Sequence, residues 1–501
     1  MRASGILLPI SSLPSPYGIG CFSTAAYEFI DRLAEAGQTY WQILPLGPTG
    51  YGDSPYQSFS AFAGNPYFID LDALAEEGLL KKEEYQKLDF GQDEQDVDYA
   101  KLYEYRFPVL WKAYIRADLE RDADFQKFCK AEEAWLCDYS LYMAVKNRFN
   151  GKCWGDWDED IRLRKPEALE RYRRFCKEEI EFYCFLQYQF MKQWERLKVY
   201  ANSRGIQIIG DIPIYVAFDG SDSWANPELF QVNEERRPVQ VAGCPPDAFS
   251  ADGQLWGNPL YDWDYHEKTG YAWWIRRMER CFKLYDVVRV DHFRGFDEYY
   301  AIPYGDETAA NGCWQKGPGM KLFRALQEHF GTVSIIAEDL GYLTDSVLKL
   351  VADTGYPNMK VIEFAFDSRE AGNYLPYNYP HNCVVYTGTH DNQTLAAWYD
   401  ELTQEDREQA KAYLDLPDEC SRECMVWSFI RLALGSVADT AIIPMQDYLC
   451  RGAEARMNQP STLGKNWRWR MGAGEFTDEL AQKISRMTEL YGRENRHKVK
   501  R

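Results

Sequence analysis

Three short apolar runs in the second half of the chain carry an acidic residue at or next to their ends. Asp291 ends the run YDVVRVD, Glu338 lies in VSIIAED, and Asp391 ends CVVYTGTHD. Burying a carboxylate beside apolar residues costs free energy, so these positions are candidates for chemistry. Glycoside chemistry uses two carboxylates that flank the scissile bond. One of them is ionised, and the other holds a proton near neutral pH because its pKa is raised.

The spacing of Arg289 and Asp291 indicates which acid is ionised. Side chains two residues apart share one face of a strand, so these two face one way while Val288 and Val290 face the other. A neighbouring cation lowers the pKa of a carboxylate by about 1–3 units. We therefore expect Asp291 to be ionised and to act as the nucleophile. Glu338 has no cation beside it in the sequence, which suits a general acid.

Each of these features has a purely structural alternative. A single acid at a strand end can cap a helix or bind a loop, and Arg289 with Asp291 could form an ion pair that only stabilises the fold. His292 and His390 each lie beside an acid, but no H-x-H or H-E-x-x-H spacing for a metal site occurs. A G-x-S-x-G motif and a glycine-rich phosphate loop are also absent. We expect no metal and no cofactor.

The three acids belong to a series of eight short, β-branched apolar runs with helix-like segments between them. The runs are 5–10, 40–46, 206–214, 285–291, 333–339, 359–366, 383–391 and 440–447. Such runs are typical of buried parallel strands. Eight strand–helix units predict an α/β fold, a (β/α)8 barrel, in which the carboxyl ends of the strands surround one cavity. The acids end the fourth, fifth and seventh of these strands.

The uneven spacing of the runs predicts one catalytic barrel domain over 1–501 with two long insertions. The first, 47–205, follows the second strand and looks mainly helical, with a helix over 178–205. The second, 215–284, follows the third strand and carries a Gly-, Pro- and Trp-rich segment. Insertions after strands rise over the barrel face where active sites lie. No C-terminal β-sandwich is expected.

Composition limits the partners and the compartment. With 57 basic and 77 acidic residues, the formal charge of −20 repels nucleic acid and anionic membrane, whereas a neutral substrate is compatible with it. The 16 Trp and 35 Tyr can line sites for flat, amphipathic ligands as well as the core. The 13 cysteines, an odd number without a C-x-x-C pair, indicate free thiols in a reducing cytosol. No signal-peptide core or 18-residue apolar stretch is present, so we expect a cytoplasmic protein.

Seven segments of the chain, taken in order, resemble those of one enzyme family. They are TGYGDSPYQSFSAFAGNPY (49–67), GDIPIYVAFDGSDSWANPELF (210–230), PPDAFSADGQLWGNPLYDW (245–263), VRVDHFRGF (288–296), IIAEDLG (335–341), GTHDNQT (388–394) and NWRWR (466–470). The family is the amylomaltases, also called 4-α-glucanotransferases or disproportionating enzymes, of the α-amylase superfamily clan. The resemblance runs from about residue 5 to 475 and is weak over 68–205.

This resemblance implies an activity and a substrate class. The implied reaction transfers a segment of a 1,4-α-glucan to the 4-hydroxyl of an acceptor glucose or glucan by a retaining double displacement. Maltooligosaccharides and linear α-1,4-glucans are the implied substrates, and no cofactor is implied. Retention predicts a separation of about 5–5.5 Å between the two carboxyl groups.

The resemblance also implies roles for single residues. Asp291 is the nucleophile, Glu338 the acid/base, and Asp391 binds sugar hydroxyls and stabilises the transition state. Arg289 orients the nucleophile, and His390 contacts the sugar before the scissile bond. Further implied sugar contacts are Tyr56, whose ring stacks there, Ser54 of the same motif, Gln254 and Trp256 on a mobile loop over the acceptor side, Asp367, Asn458, and Tyr51 of a second glucan-binding site.

Two positions depart from the family pattern, and three other functions stay open. Ala248 stands where some members carry a tyrosine, and Ser461 stands where others have glycine, with little effect expected. An α-glucan hydrolase on the same fold would use the same three acids. A non-catalytic glucan-binding protein would need none of them, and a barrel enzyme of phosphorylated metabolites would need a phosphate loop.

Overall fold

The computed structural model describes residues 2–50, 52–246, 252–341, 343–367 and 374–495. Its strands are β1 (Ala3–Leu7), β2 (Tyr40–Gln42), β3 (Gln207–Ile212), β4 (Gln240–Cys244), β5 (Gln254–Pro259), β6 (Val287–Val290), β7 (Glu298–Pro303), β8 (Cys313–Lys316), β9 (Ile335–Ala337), β10 (Asn358–Val361), β11 (Cys383–Tyr386) and β12 (Thr440–Pro444).

Eight of these strands form a closed barrel of parallel pairs, in the order β1-β12-β11-β10-β9-β6-β3-β2. Each of the eight predicted apolar runs contains or overlaps one of them, so the (β/α)8 prediction is confirmed. The other four strands form a separate antiparallel sheet in the order β5-β4-β7-β8, which the sequence did not predict.

The helices surround the barrel and fill the segments between its strands. They are α1 (Thr24–Glu35), α2 (Leu71–Glu76), α3 (Tyr99–Arg116), α4 (Ala123–Ala131), α5 (Glu133–Arg148), α6 (Glu159–Arg162), α7 (Pro166–Phe175), α8 (Lys177–Ser203), α9 (Ser221–Ala225), α10 (Trp263–Lys268), α11 (Ala272–Leu284), α12 (Met320–Phe330), α13 (Asp345–Thr354), α14 (Leu395–Glu401), α15 (Gln404–Leu414), α16 (Arg422–Gly435), α17 (Met445–Tyr448) and α18 (Asp478–Leu490).

The long segment between β2 and β3 contains α2 to α8 and is helical, as its sequence indicates. The longest helix, α8, ends before Gly205, whose φ of +79° lies in the left-handed region that favours glycine after a helix. The segment between β3 and β6 is mixed, because it contributes β4 and β5 of the second sheet as well as α9 to α11. The division of the chain into a barrel and two insertion subdomains stays a prediction.

The barrel strands bury two separate sets of side chains. One cluster joins Leu7, Ile209, Ile336, Met359, Val361, Val384, Tyr386 and Ile442 from six different barrel strands. Alternate residues, such as Ile208, Val288 and Val385, join the larger cluster that packs with the helices. The strands therefore have two apolar faces, which explains why they read as nearly continuous apolar runs.

In the described part of the chain, α17, one short 3-10 turn and α18 follow β12, and no strand does. This agrees with the expected lack of a C-terminal β-sandwich. None of the described helices is long and apolar enough to span a bilayer.

Candidate active site

Arg289 lies near the carboxyl end of barrel strand β6 and contacts two carboxylates. It is 3% exposed and belongs to β6, which pairs with β3 so that Arg289 is opposite Asp211. Its Nη1 donates to both carboxylate oxygens of Asp211 at 2.8 and 2.7 Å, and its Nη2 donates to Asp291 Oδ1 at 3.0 Å. The predicted contact between Arg289 and Asp291 is therefore present, together with a second carboxylate.

The pKa of Asp291 differs from the expectation based on sequence. Although 28% of its side chain stays accessible, desolvation by the surrounding protein raises the pKa of Asp291 to about 6. Arg289 opposes this rise, and the charge of Asp211 adds to it. The expected lowering of this pKa is wrong, because the sequence shows the neighbouring cation but not the desolvation or the second acid.

Glu338 follows β9 and is 9% exposed. Its two oxygens accept backbone hydrogen bonds, Oε2 from His292 N at 2.6 Å and Oε1 from Leu340 N at 2.7 Å. Desolvation, followed by the charge of Asp291, raises the pKa of Glu338 to about 8 despite these bonds and Arg289. His292 directly follows Asp291, so its hydrogen bond to Glu338 holds the two predicted catalytic carboxyl groups near each other.

Asp391 lies beyond its strand, in a loop. The predicted strand 383–391 is too long, because β11 ends at Tyr386. Beyond Tyr386, a side chain holds the backbone in place of strand pairing. Asn392 Oδ1 accepts hydrogen bonds from Thr389 N at 2.9 Å and from Thr389 Oγ1 at 2.8 Å. Asp391 reaches the cavity from this loop, and its side chain is 45% exposed.

The loop presents Asp391 to two predicted neighbours. Asp391 Oδ1 accepts a hydrogen bond of 2.6 Å from Asn458 Nδ2, and Oδ2 lies 3.5 Å from His390 Nε2. Arg456 donates to the backbone carbonyl of Asp391 at 2.9 Å. Asp391, His390 and Asn458 thus form one connected group, and their roles as sugar contacts stay predictions.

Two buried acids that the sequence analysis did not select support this loop. Asn392 donates to the carboxyl of Glu363, which is 6% exposed and whose backbone N–H donates to Thr387 O at 3.1 Å. Burial, and then the charge of Asp447, raises the pKa of Glu363 well above its usual value. Asp447 accepts from Thr387 Oγ1 at 2.6 Å and from Leu395 N at 2.9 Å.

Tyr56 forms an aromatic wall with His390. Their rings are nearly parallel, with centroids 5.0 Å apart, and the Tyr56 hydroxyl donates to Asp211 Oδ2 at 2.9 Å. Trp467 lies 5.8 Å from Tyr56 and 5.9 Å from His390, so three rings group together. Ser54 accepts a hydrogen bond from Tyr56 N at 3.3 Å and so supports the turn that carries this ring.

Trp256 reaches the site from the second sheet. Its ring meets the edge of His292 with centroids 4.8 Å apart, and its Nε1 donates to Gln254 Oε1 at 3.0 Å. Both residues lie on β5, paired with β4, so the expectation that they lie on a loop is corrected. The hydrogen bonds of this strand pair hold the indole beside the residue that follows Asp291.

Three further residues named from the sequence, Tyr51, Ala248 and Asp367, cannot be assigned to the site from the described contacts. Tyr51 lies outside the described residues, as does Ala248 of the motif PPDAF. Asp367, half-buried, directly precedes the undescribed segment 368–373. Their roles stay predictions.

Asp211 is the main residue that the sequence analysis missed. It lies in the apolar run IQIIGDIPI, and a charge inside such a run is the signal that was available. Its side chain is fully buried, and it binds both Arg289 and Tyr56. The partners could not be read from the sequence, because they depend on the register between β3 and β6.

The arrangement can carry out acid–base and nucleophilic chemistry on a polyhydroxylated ring. It combines an acid with a pKa of about 8, a second with a pKa of about 6, and aromatic rings beside both. When two carboxyl groups have different pKa values, one can act as the acid and the other as the nucleophile at neutral pH. Within the described ranges, no group of three or more His, Cys, Asp or Glu side chains is placed to hold a metal ion.

Comparison with known proteins agrees with this geometry. The family model of the 4-alpha-glucanotransferases (Glyco_hydro_77) matches residues 8–475. The 4-alpha-glucanotransferase of Clostridium butyricum is 53% identical over 97% of this chain and 99% of its own, and that of Thermus thermophilus is 47% identical over 97% and 98%. The structure of the Streptococcus agalactiae amylomaltase in complex with acarbose superposes with a TM-score of 0.95, at 44% identity, over 99% of this chain and 100% of that one. The chain therefore belongs to the 4-alpha-glucanotransferase family.

Proposed function

We propose that this protein is a 4-α-glucanotransferase that moves a segment of a 1,4-α-glucan to the 4-hydroxyl of an acceptor glucose or glucan. The family match and identities near 50% over almost the whole chain support the activity. One observation supports the chemistry most directly. Asp291 and Glu338 lie at neighbouring strand ends, and their surroundings raise the pKa of Glu338 further than that of Asp291.

In the first step, Asp291 attacks the anomeric carbon of the sugar before the scissile bond. Glu338 gives its proton to the glycosidic oxygen, so the bond to the leaving glucan breaks without forming an alkoxide. The product of this step is a glycosyl ester on Asp291. Near pH 7 the pKa values of about 6 and about 8 leave Asp291 mostly ionised and Glu338 mostly protonated before the step.

In the second step, the acceptor sugar replaces the leaving glucan. Glu338, now ionised, takes the proton of the acceptor 4-hydroxyl, and the oxygen attacks the anomeric carbon. The ester breaks, Asp291 is released, and Glu338 is again protonated. Two inversions leave the configuration at the anomeric carbon unchanged.

The neighbouring residues bind and orient in this scheme. Arg289, held by Asp211, fixes Asp291 for attack. Asp391, held by Asn458, binds hydroxyls of the reacting sugar, while Tyr56 and His390 offer ring faces on which a sugar stacks. These roles follow from the contacts and from the family resemblance.

Transfer rather than hydrolysis requires that a sugar, and not water, reach the glycosyl ester. Trp256, fixed by β5 against His292, supplies an apolar surface on the acceptor side. An apolar surface there binds a sugar face and leaves water poorly placed. A hydrolase with the same acids remains the alternative, and product analysis separates the two.

The test is incubation with maltotriose alone, with free glucose, longer oligosaccharides and total reducing ends followed over time. The proposal predicts longer maltooligosaccharides with constant total reducing ends. A rise in reducing ends without longer products would make the protein a hydrolase, and no reaction of maltotriose or maltoheptaose would favour a binding protein. Asp291→Asn should abolish the reaction, whereas Asp264→Asn, which alters an exposed acid on α10, should not.

We also propose that the protein is located in a reducing compartment such as the cytoplasm. No disulfide joins the 13 cysteines, all of which lie within the described ranges, and disulfides are rare where thiols are kept reduced. Detection of the protein in fractionated cells tests this, and recovery outside the cytoplasmic fraction would contradict it.

A further inference from the structure

A cavity of about 320 Å³ lies outside the site described above. It opens between the start of α5, the short helix α9 and helix α11. Among the described residues that line it, none belongs to the predicted active-site set. Its volume falls within the range of ordinary small-molecule sites.

Three aromatic rings form one wall of this cavity. Phe62 lies between two indoles, nearly parallel to Trp135 with centroids 6.3 Å apart and perpendicular to Trp273 at 6.0 Å. Trp135 is half-buried, whereas Phe62 and Trp273 are buried. Of these three rings, Trp135 offers the accessible surface on which the apolar face of a sugar ring can stack.

Two buried donors on the same wall have no hydrogen-bond partner among the described residues. They are Trp273 Nε1 and Arg280 Nη1, on side chains that are 3% and 5% exposed. Arg280 Nη1 does lie 3.6 Å from Glu132 Oε1, beyond hydrogen-bond distance. Buried donors normally have partners, so an oxygen acceptor that reaches these groups from the cavity would satisfy them.

The acceptors and the charges of the cavity favour a neutral, hydroxyl-bearing ligand. Asp222, 5% exposed, and the amide of Asn226 line it together with Ser60. The lining carries more acids than cations, namely Glu132, Asp138, Asp222 and Glu279 against Arg276, Arg280 and Lys283. Lys283 donates to Glu132 Oε1 at 2.7 Å, and Arg280 Nη1 lies 3.6 Å from the same oxygen. An anion would meet Glu132 and Asp222, whereas hydroxyl groups can donate to these carboxylates.

We propose that this cavity is a further binding site for a short α-1,4-glucan, separate from the site of transfer. The inference rests on the proposed function for the identity of the sugar. A single glucose ring on the aromatic wall would place its hydroxyls beside Asp222 and Asn226, and the open side admits the rest of the chain.

The cavity also contacts the segment that carries Tyr56. Ser221 N and Oγ donate to Phe59 O at 2.8 and 3.1 Å, and Asp222 Oδ2 accepts from Ala61 N at 2.8 Å. A glucan bound here therefore touches the residues that hold this segment, while its binding requires none of the catalytic groups.

The test measures, by equilibrium dialysis, how many maltotriose molecules bind per protein molecule. The Asp291→Asn variant is used because this substitution stops turnover. Two further substitutions are added to that variant, one at a time. Ala134→Trp fills the cavity from an exposed helix position, and Trp135→Ala removes its stacking surface. Trp111→Ala is the matched control, because it removes a half-buried indole from α3, away from the cavity. We expect both cavity variants to lose one equivalent of maltotriose and the control to lose none.

Equal stoichiometry in all four proteins would overturn the inference. So would loss of bound inorganic phosphate, but not of maltotriose, in the Ala134→Trp variant, because the site would then be an anion site. The single variant Ala134→Trp should still disproportionate maltotriose. If the wild-type protein fails to disproportionate maltotriose, the proposed function is wrong. If disproportionation is normal but the binding stoichiometry is unchanged, only the further glucan site is wrong.

Discussion

Arg289 Nη1 lies 2.8 and 2.7 Å from the two carboxylate oxygens of Asp211, which is fully buried. The cation that faces the nucleophile is therefore neutralised from behind by a second acid. This pair orients Asp291 and also acts on its pKa. Desolvation raises that pKa most, Arg289 lowers it and Asp211 raises it. Breaking such a buried pair leaves an uncompensated charge.

Asp211→Asn should reduce kcat/KM for maltotriose and move its acidic limb to lower pH. The rate falls because Arg289 loses its bidentate anchor, and we expect a loss of about 10–100-fold, or about 1.4–2.7 kcal/mol of transition-state stabilisation. The pKa of Asp291 falls because a negative charge that raises it is gone. A pH series of kcat/KM measures both effects. An acidic limb that stays in place or moves upward would contradict the account.

The wild-type enzyme should show a bell-shaped dependence of kcat/KM on pH. Activity requires an ionised Asp291 and a protonated Glu338, so it should fall below about pH 6 and above about pH 8. Glu338→Gln should remove the basic limb and lower kcat by about 10²–10⁴-fold. The measurement is initial rates from about pH 4.5 to about pH 9.5, roughly 1.5 units beyond each limb. A basic limb that persists in Glu338→Gln would assign it to another group.

Glu363 should act on catalysis through the Asp391 loop, without needing its charge. Burial raises its pKa and so favours the neutral form, and Asn392 connects it to Thr389 and so to Asp391. We expect Glu363→Ala to lower kcat about tenfold, near the value of one net hydrogen bond, with a small change in KM. Glu363→Gln should restore activity because it still accepts from Asn392. A similar loss in both variants would show that the carboxyl group itself is required.

Ser461→Gly should stabilise the protein. Ser461 is exposed and has φ +62°, a left-handed conformation that costs a side chain free energy and that glycine adopts freely. After the entropy loss of glycine, we expect a gain of about 0.5–1 kcal/mol. The midpoint of thermal unfolding measures it. Ser428→Gly, inside α16, is the control and should lower the midpoint. An unchanged midpoint for Ser461→Gly would mean that the left-handed turn carries no strain.

The barrel could be predicted from the sequence because its strands are apolar on both faces and separated by helices. Strand ends were less predictable, since Asp391 lies five residues beyond Tyr386 and its loop is held by Asn392 and Glu363. The second sheet was missed because β5, the segment QLWGNP, mixes polar, glycine and proline residues and shows no strong alternation.

At the candidate site, the three carboxylates could be selected because each ends an apolar run. Their partners could not, because the contact between Asp211 and Arg289 depends on strand register and that between Asp391 and Asn458 joins residues 67 positions apart. The pKa of Asp291 was predicted in the wrong direction, since desolvation is a property of the folded cavity.

The most direct test of the central claim is to trap the glycosyl ester on Asp291. Glu338→Gln is mixed with α-maltosyl fluoride, whose fluoride leaves without protonation, while the variant lacks the base that would activate an acceptor. Mass spectrometry of the peptides should find a maltosyl group on Asp291 and none in the double variant with Asp291→Asn. Fluoride release without an adduct, or an adduct on another residue, would contradict the double displacement through Asp291.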